Sequence, residues 1–174
     1  MRTKSILKLA PDLFNYKSVL YIGATPPEIN KQYNNPESGM FYLEEFKQAG
    51  YEITIIEAYS PNCELLINKH QYKVHNCSIE DFDSGKYDVV FWWHGPEHVE
   101  KKKLPGILEK IEELANHLVV LGCPWGRYKL GPIHGNPYQE HKSYLYPKSF
   151  PGYEIDCIGP VDIPGSNLAA IKRW

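Results

Sequence analysis

Short apolar runs alternate along the chain with segments of helical periodicity. The runs are rich in β-branched and aromatic residues, which is typical of strands buried inside a sheet. They predict strands at Ser18–Gly23, Tyr51–Ala58, Gln71–Cys77, Tyr87–Trp93 and Leu118–Cys123. The run YDVVFWW is apolar almost throughout, as expected of a parallel strand that is covered on both faces.

Helical spacing fills the gaps between several of these strands. Asn35-Pro36-Glu37 predicts a helix start, because asparagine caps, proline suits the first helical position and glutamate favours the positive end of the dipole. That helix is expected to end at Gly50. A shorter helix is predicted over Ser60–Lys69, and apolar residues at helical spacing over Leu104–Leu118 predict a third. Residues 24–35 are expected to form a loop.

The alternation of predicted strands and helices stops after the strand at Leu118–Cys123. Residues 124–150 have no clear period, and so long a stretch within a compact domain is usually functional. Two more strands, Tyr153–Val161 and Asn167–Lys172, are expected to pair antiparallel across a Pro/Gly/Ser turn. The whole pattern predicts one α/β domain over residues 1–174, with a mostly parallel sheet and residues 1–16 as an N-terminal extension.

Composition narrows the classes of function. A chain of 174 residues suits a single domain, and a net charge of −2 with a pI of about 6.4 argues against nucleic-acid binding. The four cysteines form no CxxC pair, which favours reduced thiols in a cytoplasmic protein. The longest apolar run, about Leu118–Cys123, is far shorter than a membrane span, so no membrane contact is expected.

Several motifs resemble those of class I S-adenosylmethionine (SAM)-dependent methyltransferases. Val19–Gly23 stands where that family has V-L-D-V-G-x-G-x-G, and Tyr87–Val90 resembles the F-D-V-V that begins its fourth strand. His94–Val99, HGPEHV, resembles the E-H-V that follows this strand, and Phe150–Tyr153 resembles F-x-x-x-G-F/Y. Residues 124–141 are similar to a P-W-G…N-P-Y-E-x-H stretch of poorly characterised bacterial and archaeal members.

The resemblance covers about residues 17–174 and implies a particular fold. It is the Rossmann-like methyltransferase fold, with a seven-stranded, mostly parallel sheet in the order 3-2-1-4-5-7-6, an antiparallel terminal strand and helices on both faces. It also implies SAM as the cofactor, bound at the carboxyl ends of the strands.

In the implied cofactor site, one residue matches the family's sequence well and one motif departs from it. Glu57 ends the second strand and would accept the two ribose hydroxyls of SAM; a surface acid is the alternative. The first-strand motif keeps Gly23, but Ala24-Thr25-Pro26-Pro27 replaces its remaining glycines and Tyr21 replaces its acid. The residues Gly23, Ala24, Thr25 and Glu57 are therefore expected to contact the cofactor. Ser78 and Ile79 are expected to lie beside the adenine ring, and Trp93 is also expected at the cofactor.

Two histidines follow the fourth strand and are candidate general bases. Imidazole titrates near neutral pH, so His94 or His98 is suited to take a proton from an acceptor; capping of the next helix is the alternative for His98. The same residues form H-x-x-E-H, a zinc-peptidase signature that requires a continuous helix. Gly95-Pro96 interrupts the motif, so no metal site is predicted.

Residues 124–150 are expected to cover the open side of the site and select a small-molecule acceptor. Aromatic and amide groups suit a polar or ring-shaped ligand. The candidates are Trp125, Tyr128, Asn136, Tyr138 and His141. A self-packed surface loop is the alternative for the whole segment.

The resulting hypothesis is methyl transfer from SAM to an oxygen or nitrogen of a small molecule. A catalytically degenerate binding or accessory module is the first alternative. Another Rossmann-like enzyme that uses a nicotinamide or a sugar nucleotide is the second, although the chain lacks G-x-G-x-x-G. The oligomeric state stays open.

Overall fold

The computed structural model describes residues 2–31, 41–133 and 135–174. The helices are α1 (Arg2–Leu9), α2 (Pro27–Lys31), α3 (Phe41–Gln48), α4 (Ser60–Asn68) and α5 (Leu104–Leu114). The strands are β1 (Ser18–Ile22), β2 (Glu52–Ile56), β3 (Lys73–His75), β4 (Tyr87–Trp93), β5 (Ala115–Pro124), β6 (Glu154–Ile158) and β7 (Asn167–Arg173). The predicted helix start at Asn35-Pro36-Glu37 lies outside the described residues.

The strands form one sheet in the order β3-β2-β1-β4-β5-β7-β6. Strands β1 to β5 are parallel to one another, whereas β7 runs antiparallel to both β5 and β6. This confirms the predicted fold class and strand order. Because β1 lies between β2 and β4, the strand order reverses there, and a crevice opens at the carboxyl ends of β1 and β4.

Each face of the sheet carries its own apolar layer, because successive side chains of a strand point to opposite faces. Leu20, Val90 and Val119 pack on one face with the apolar stripe of α5. Their neighbours in sequence face the other way and pack with α1, α3 and α4; they are Val19, Val89, Leu118 and Val120. The two layers hold the strand ends, and therefore the crevice, in fixed positions.

Two local predictions were wrong, and the predicted N-terminal extension has a structure of its own. Leu118 belongs to β5, because α5 ends at Leu114 and Ala115 already pairs with Tyr87. Part of the predicted loop 24–35 is helix α2, which begins at Pro27, where a missing N–H costs nothing. The N-terminal extension contains α1, and the fully buried Ile6 anchors it in the core. Among the described residues, none of the helices is long and apolar enough for a membrane crossing.

Candidate functional site

A cavity of about 720 Å³ occupies the crevice at the carboxyl ends of β1, β2 and β4. One wall, here called the β2 side, comes from the ends of β1, β2 and β3. The opposite wall, the β4 side, comes from residues 92–98 and from the segment 124–142. The predicted site residues that line the cavity are Gly23, Thr25, Glu57, Ser78, Ile79, Trp93, His94, His98, Tyr128, Asn136, Tyr138 and His141.

Two predicted residues do not line the cavity. The side chain of Ala24 is fully buried in the core layer of α1 and α3. Trp125 packs against the core layer of α5, and its backbone bonds to Ser166 and Asp162 near the β6–β7 connection. Both residues therefore contribute to the site only through their packing in the core, and not by lining the cavity.

The loop after β1 turns sharply at Gly23. Gly23 has a φ of +75°, and its N–H donates to the carbonyl of Ile56 at 2.8 Å, which ties the ends of β1 and β2 together. The two prolines that replace the glycine-rich motif lead directly into α2, and neither lines the cavity. The altered loop therefore leaves the crevice open.

Glu57 is the charged centre of the β2 side. It is buried, and its Oε1 accepts a 2.7 Å hydrogen bond from the backbone N–H of Tyr59. Burial raises the pKa of Glu57 to about 7, although hydrogen bonds from Tyr59, Asn62, Ala24 and Ala58 oppose that rise. The carboxylate is thus poised between its two protonation states near neutral pH, and its place at the end of β2 is the one predicted for it.

The end of β3 completes the β2 side. Ser78 lines the cavity, and its hydroxyl donates to Asp81 at 2.8 Å. Ile79 is buried and gives this wall an apolar surface. Glu80 also lines the cavity and pairs with Lys103 at 2.8 Å across its rim. The cavity here offers an apolar surface edged by polar groups.

Trp93, at the end of β4, lines the cavity and is here called its floor. Trp93 lies over Gly122, its β-sheet partner, where an added Cβ would come within 2.1 Å of the indole. Trp92 belongs to the core layer on the other face of the sheet, and a Cβ added at Gly95 would approach its indole more closely still. Glycine at these two positions makes room for the indoles, so the sequence around β4 and β5 is matched to this floor.

His94 and Glu97 form a hydrogen-bonded pair on the β4 side. His94 Nδ1 lies 3.2 Å from Glu97 Oε1, and His94 has a φ of +54° that turns its ring toward the cavity wall. Burial acts to raise the pKa of Glu97, but the hydrogen bond from His94 and the proximity of the His94 and His98 imidazoles outweigh it, so the pKa lies below its usual value. An ionised Glu97 fixes the Nδ1–H tautomer of His94.

His98 and His141 both donate from Nδ1 to a backbone carbonyl. The acceptors are the carbonyls of Glu140, at 3.1 Å, and Tyr128, at 2.7 Å. A carbonyl only accepts, so both rings carry their proton on Nδ1 and keep a lone pair on Nε2. The nearest donor atoms of Glu97, His98 and His141 lie within 4.8 Å of one another.

The segment 124–150 is a structured wall with two short 3₁₀ helices, Pro137–Gln139 and Pro147–Ser149. The carbonyl of Glu97 accepts from the backbone N–H groups of Lys142, at 2.8 Å, and Ser143, at 3.1 Å. Asn136 is buried, and its Oδ1 accepts from the N–H of Tyr138 at 2.9 Å. The segment is therefore docked onto the Pro96–His98 turn. The exposed Tyr138 lies at the cavity mouth.

Sequence reasoning missed Glu97 as a site residue. The sequence did carry a signal for Glu97, because Glu97 stands between two histidines in H-x-x-E-H. That motif predicts a metal site only within a continuous helix, so Glu97 was not predicted to take part in the site. Pro96–His98 forms a 3₁₀ helix after β4 instead, so the interruption at Gly95-Pro96 was correctly predicted. The arrangement that replaces the helix places Glu97 at 2% exposure between the imidazoles.

Comparison with known proteins supports the fold. No family model matches the chain, and no curated protein sequence matches it. A SAM-dependent methyltransferase from Archaeoglobus fulgidus is 15% identical with a TM-score of 0.65, covering 99% of this chain and 93% of its own. The 1,6-didemethyltoxoflavin N1-methyltransferase of Burkholderia thailandensis, solved with bound 1,6-didemethyltoxoflavin and S-adenosylhomocysteine (SAH), is 13% identical with a TM-score of 0.60, covering 99% of this chain and 76% of its own.

A third similar structure carries another name. It is described as a zinc-dependent alcohol dehydrogenase from Rhodobacter sphaeroides, and it is 10% identical with a TM-score of 0.64, covering 94% of this chain and 88% of its own. At these identities the likeness concerns the fold alone. The chain has the class I SAM-dependent methyltransferase-like fold, and SAM or SAH is the ligand bound to this fold in several of the similar structures.

Proposed function

We propose that the protein transfers a methyl group from SAM to an oxygen or nitrogen of a small-molecule acceptor. The observation that carries the proposal is that Glu57, after β2, and His94, after β4, line one cavity at the ends of the two strands that flank β1, where the strand order reverses. A carboxylate at the end of β2 suits a ribose, and an oriented imidazole at the end of β4 suits the reacting end.

The residues of the β2 side fit the adenosyl part of the cofactor. Glu57 accepts the ribose hydroxyls, and the turn at Gly23 lets the ligand approach the backbone, with Thr25 beside it. Ser78 and Ile79 border the adenine ring. Trp93 forms the floor between cofactor and acceptor. Ala24 contributes its backbone N–H to Glu57, which holds the carboxylate in place.

SAM supplies a methyl group on a sulfonium centre, whose C–S bond breaks as the new O–C or N–C bond forms, leaving SAH. The protein must position the acceptor in line and remove its proton. His94 is the better placed base, because Glu97 holds its Nδ1–H and leaves the Nε2 lone pair to take that proton. His98 keeps the same lone pair, with its Nδ1–H held by Glu140.

The segment 124–142 selects the acceptor. Tyr128, Asn136, Tyr138 and His141 line this part of the cavity, and its mixture of rings and polar atoms suits a small polar or ring-shaped molecule. Trp125 acts indirectly, by anchoring the segment to the core. The acidic balance of the chain disfavours nucleic acid as the acceptor, and the free cysteines fit a cytoplasmic protein.

The degenerate binding module is the competing proposal, because the glycine-rich motif is replaced. It loses support from the open crevice and from the buried, oriented Glu97–His94 pair, which a pure scaffold does not need. A nicotinamide enzyme is disfavoured by the antiparallel β7 inserted between β5 and β6, since dinucleotide-binding sheets commonly run 3-2-1-4-5-6.

Thermal unfolding with added ligands tests the proposal directly. At about a hundred times its dissociation constant, a ligand stabilises the folded state by about 2.7 kcal/mol. For a domain of this size the unfolding midpoint should rise by roughly 5–10 °C with SAM or SAH. NAD and ATP serve as controls. No shift with millimolar SAM or SAH would contradict cofactor binding by this chain and favour the degenerate module.

A shift specific to SAM and SAH would justify an acceptor search. Candidate acceptors are then incubated with SAM, and SAH release is followed. General-base catalysis is worth about 10²–10⁴-fold in rate. A loss of that size in His94→Gln, at unchanged SAH affinity, is the expected result. An unchanged rate would assign the proton transfer to another group.

A further inference from the structure

Three potential metal ligands meet on the β4 side of the cavity. They are a carboxylate oxygen of Glu97 and one ring nitrogen each of His98 and His141, drawn from the Pro96–His98 turn and from the segment docked on it. Glu97 Oε1 lies 4.0 Å from His98 Nε2, and the two imidazole rings lie 5.1 Å apart, between their centroids. All three residues line the cavity, so the cluster is open to small molecules.

Both imidazoles are held in the tautomer that a metal requires. Metal-binding histidines usually donate their other ring N–H to a carbonyl or carboxylate, which fixes the ring and leaves the ligating lone pair free. His98 and His141 each make that hydrogen bond, to the carbonyls of Glu140 and Tyr128.

The carboxylate supplies an independent sign of a missing partner. Glu97 is almost fully buried and its Oε1 accepts from His94, yet its Oε2 has no hydrogen-bond partner among the described residues. A buried carboxylate oxygen without a partner is costly. A cation bound by both carboxylate oxygens of Glu97 and by the two imidazoles would satisfy this oxygen.

We propose that Glu97, His98 and His141 bind a divalent transition-metal ion of the zinc class. Two imidazoles and one carboxylate form a zinc ligand set, and the same set also suits ferrous iron. Two ligands of a tetrahedral zinc ion lie about 3.4 Å apart, given metal–ligand distances of about 2.1 Å. The three donor atoms therefore need to approach one another by about 1 Å, within the reach of small side-chain rotations.

The site differs from the zinc-peptidase interpretation of H-x-x-E-H. In that motif both histidines of the signature bind the metal and the glutamate does not. Here His94 supports Glu97 through a hydrogen bond, Glu97 is itself a ligand, and His141 from the docked segment replaces His94. The inference therefore departs from the expectation that the protein has no metal site.

Three protein ligands leave at least one coordination position facing the cavity. A bound cation lowers the pKa of a coordinated hydroxyl group or water. If the proposed methyl transfer is correct, the metal-bound group is the oxygen or nitrogen that receives the methyl group. The acceptor would then be a metal-coordinating molecule, such as an enol, a phenol or a hydroxamic acid.

Metal binding is measured on untagged protein that has been stripped with a chelator, in the absence of SAM. Zn²⁺ is titrated by calorimetry, and Co²⁺ by its visible absorption bands, which report few-coordinate nitrogen and oxygen ligation. One ion per chain is expected. Added acetohydroxamate should shift the Co²⁺ bands, because the open position accepts an external ligand.

The variants His98→Asn and His141→Asn remove the ligand atom and keep the fold. Asparagine places its amide near the Nδ1 position, so it still donates to the same carbonyl while Nε2 is lost. Since loss of an outer-shell partner costs about 10–100-fold in metal affinity, loss of a ligand should cost at least about 100-fold. His70→Asn is the matched control, because His70 pairs with Glu28 at 3.2 Å on a different part of the surface.

The outcomes distinguish a failure of the proposed metal site from a failure of cofactor binding. Stoichiometric binding that both asparagine variants abolish and His70→Asn retains would establish the site. Absence of a bound ion, or binding that both variants leave unchanged, would overturn it. The SAH-induced thermal shift is recorded separately on metal-free protein, so loss of metal binding with an intact shift refutes this site alone, whereas the reverse refutes only cofactor binding.

Discussion

The two sides of the cavity are built in different ways. On the β2 side, Glu57 and its donors lie close in sequence or at adjacent strand ends, and backbone N–H groups fix the carboxylate. On the β4 side, Glu97 meets His141 only because a long segment folds back and bonds to the Pro96–His98 turn. A site made from neighbouring strand ends follows from the fold, whereas a site made by docking depends on contacts distant in sequence.

The largest effect is expected from a substitution that displaces Trp93, the floor that both sides share. Gly122→Ala places a methyl group where the Trp93 indole lies, so Trp93 must leave its position. Overpacking of this kind costs about 3 kcal/mol, or roughly 10 °C in the unfolding midpoint. Chemical denaturation measures the change.

Gly131→Ala is the control for this experiment. No atom lies within 4 Å of a Cβ added at Gly131, so its stability should change by less than about 0.5 kcal/mol. Equal stability of the two variants would contradict the close packing of Trp93.

The second prediction tests whether ligand binding on the β2 side is independent of metal binding on the β4 side. Glu57→Gln removes the charge that would strengthen the two proposed ribose hydrogen bonds, an expected loss of about 2 kcal/mol, or roughly 30-fold in SAH affinity. Calorimetry measures the affinity, and the exposed Glu52→Gln on the same strand is the control. Because the β4 side is built separately, metal affinity should not change in Glu57→Gln. An unchanged SAH affinity would remove Glu57 from the cofactor site.

The pH dependence of SAH binding refines this result. The pKa of Glu57 is raised to about 7 by burial, and ribose hydroxyls donate best to the ionised form. Affinity should therefore rise by about tenfold from pH 6 to pH 8, as the ionised fraction increases. Glu57→Gln should show a flat profile over this range. An equal rise in the variant would assign the titration to another group.

The smallest effect concerns the docked segment. Asn136→Ala removes the side-chain oxygen that accepts from the N–H of Tyr138, a loss of about 1 kcal/mol in unfolding free energy. Asn136→Asp keeps that oxygen and should restore most of the stability. SAH affinity should be the same in both variants. A fall in SAH affinity would show that the two sides are more closely coupled than their construction suggests.

The sheet was the most predictable part of the molecule. The bounds of Tyr87–Trp93 agree with β4, and the strand order follows the predicted one. Strand patterns are local, because a buried strand needs only a short apolar run between breakers. Leu118 shows the limit of this reasoning, since its helical spacing continued from α5 although sheet pairing had already begun at Ala115.

The candidate site was predictable only in part. The place of Glu57 follows from the end of an apolar strand, and it lines the cavity as expected. Ala24 and Trp125 were predicted to contact ligands, but both pack away from the cavity. Sequence position gives the region of such residues, whereas the direction of each side chain depends on the neighbours that surround it.

The sequence by itself determined the layers and the strand ends at which chemistry is possible, because periodicity and breakers act over a few residues, whereas the strand order was implied only by the resemblance to methyltransferases. Only the tertiary structure decided that Glu97 is buried, that His98 and His141 share one tautomer, and that their donor atoms meet. The segment that carries His141 has no periodic pattern. It is held by backbone hydrogen bonds that almost any residue can make, so its path becomes defined only when the whole chain has folded.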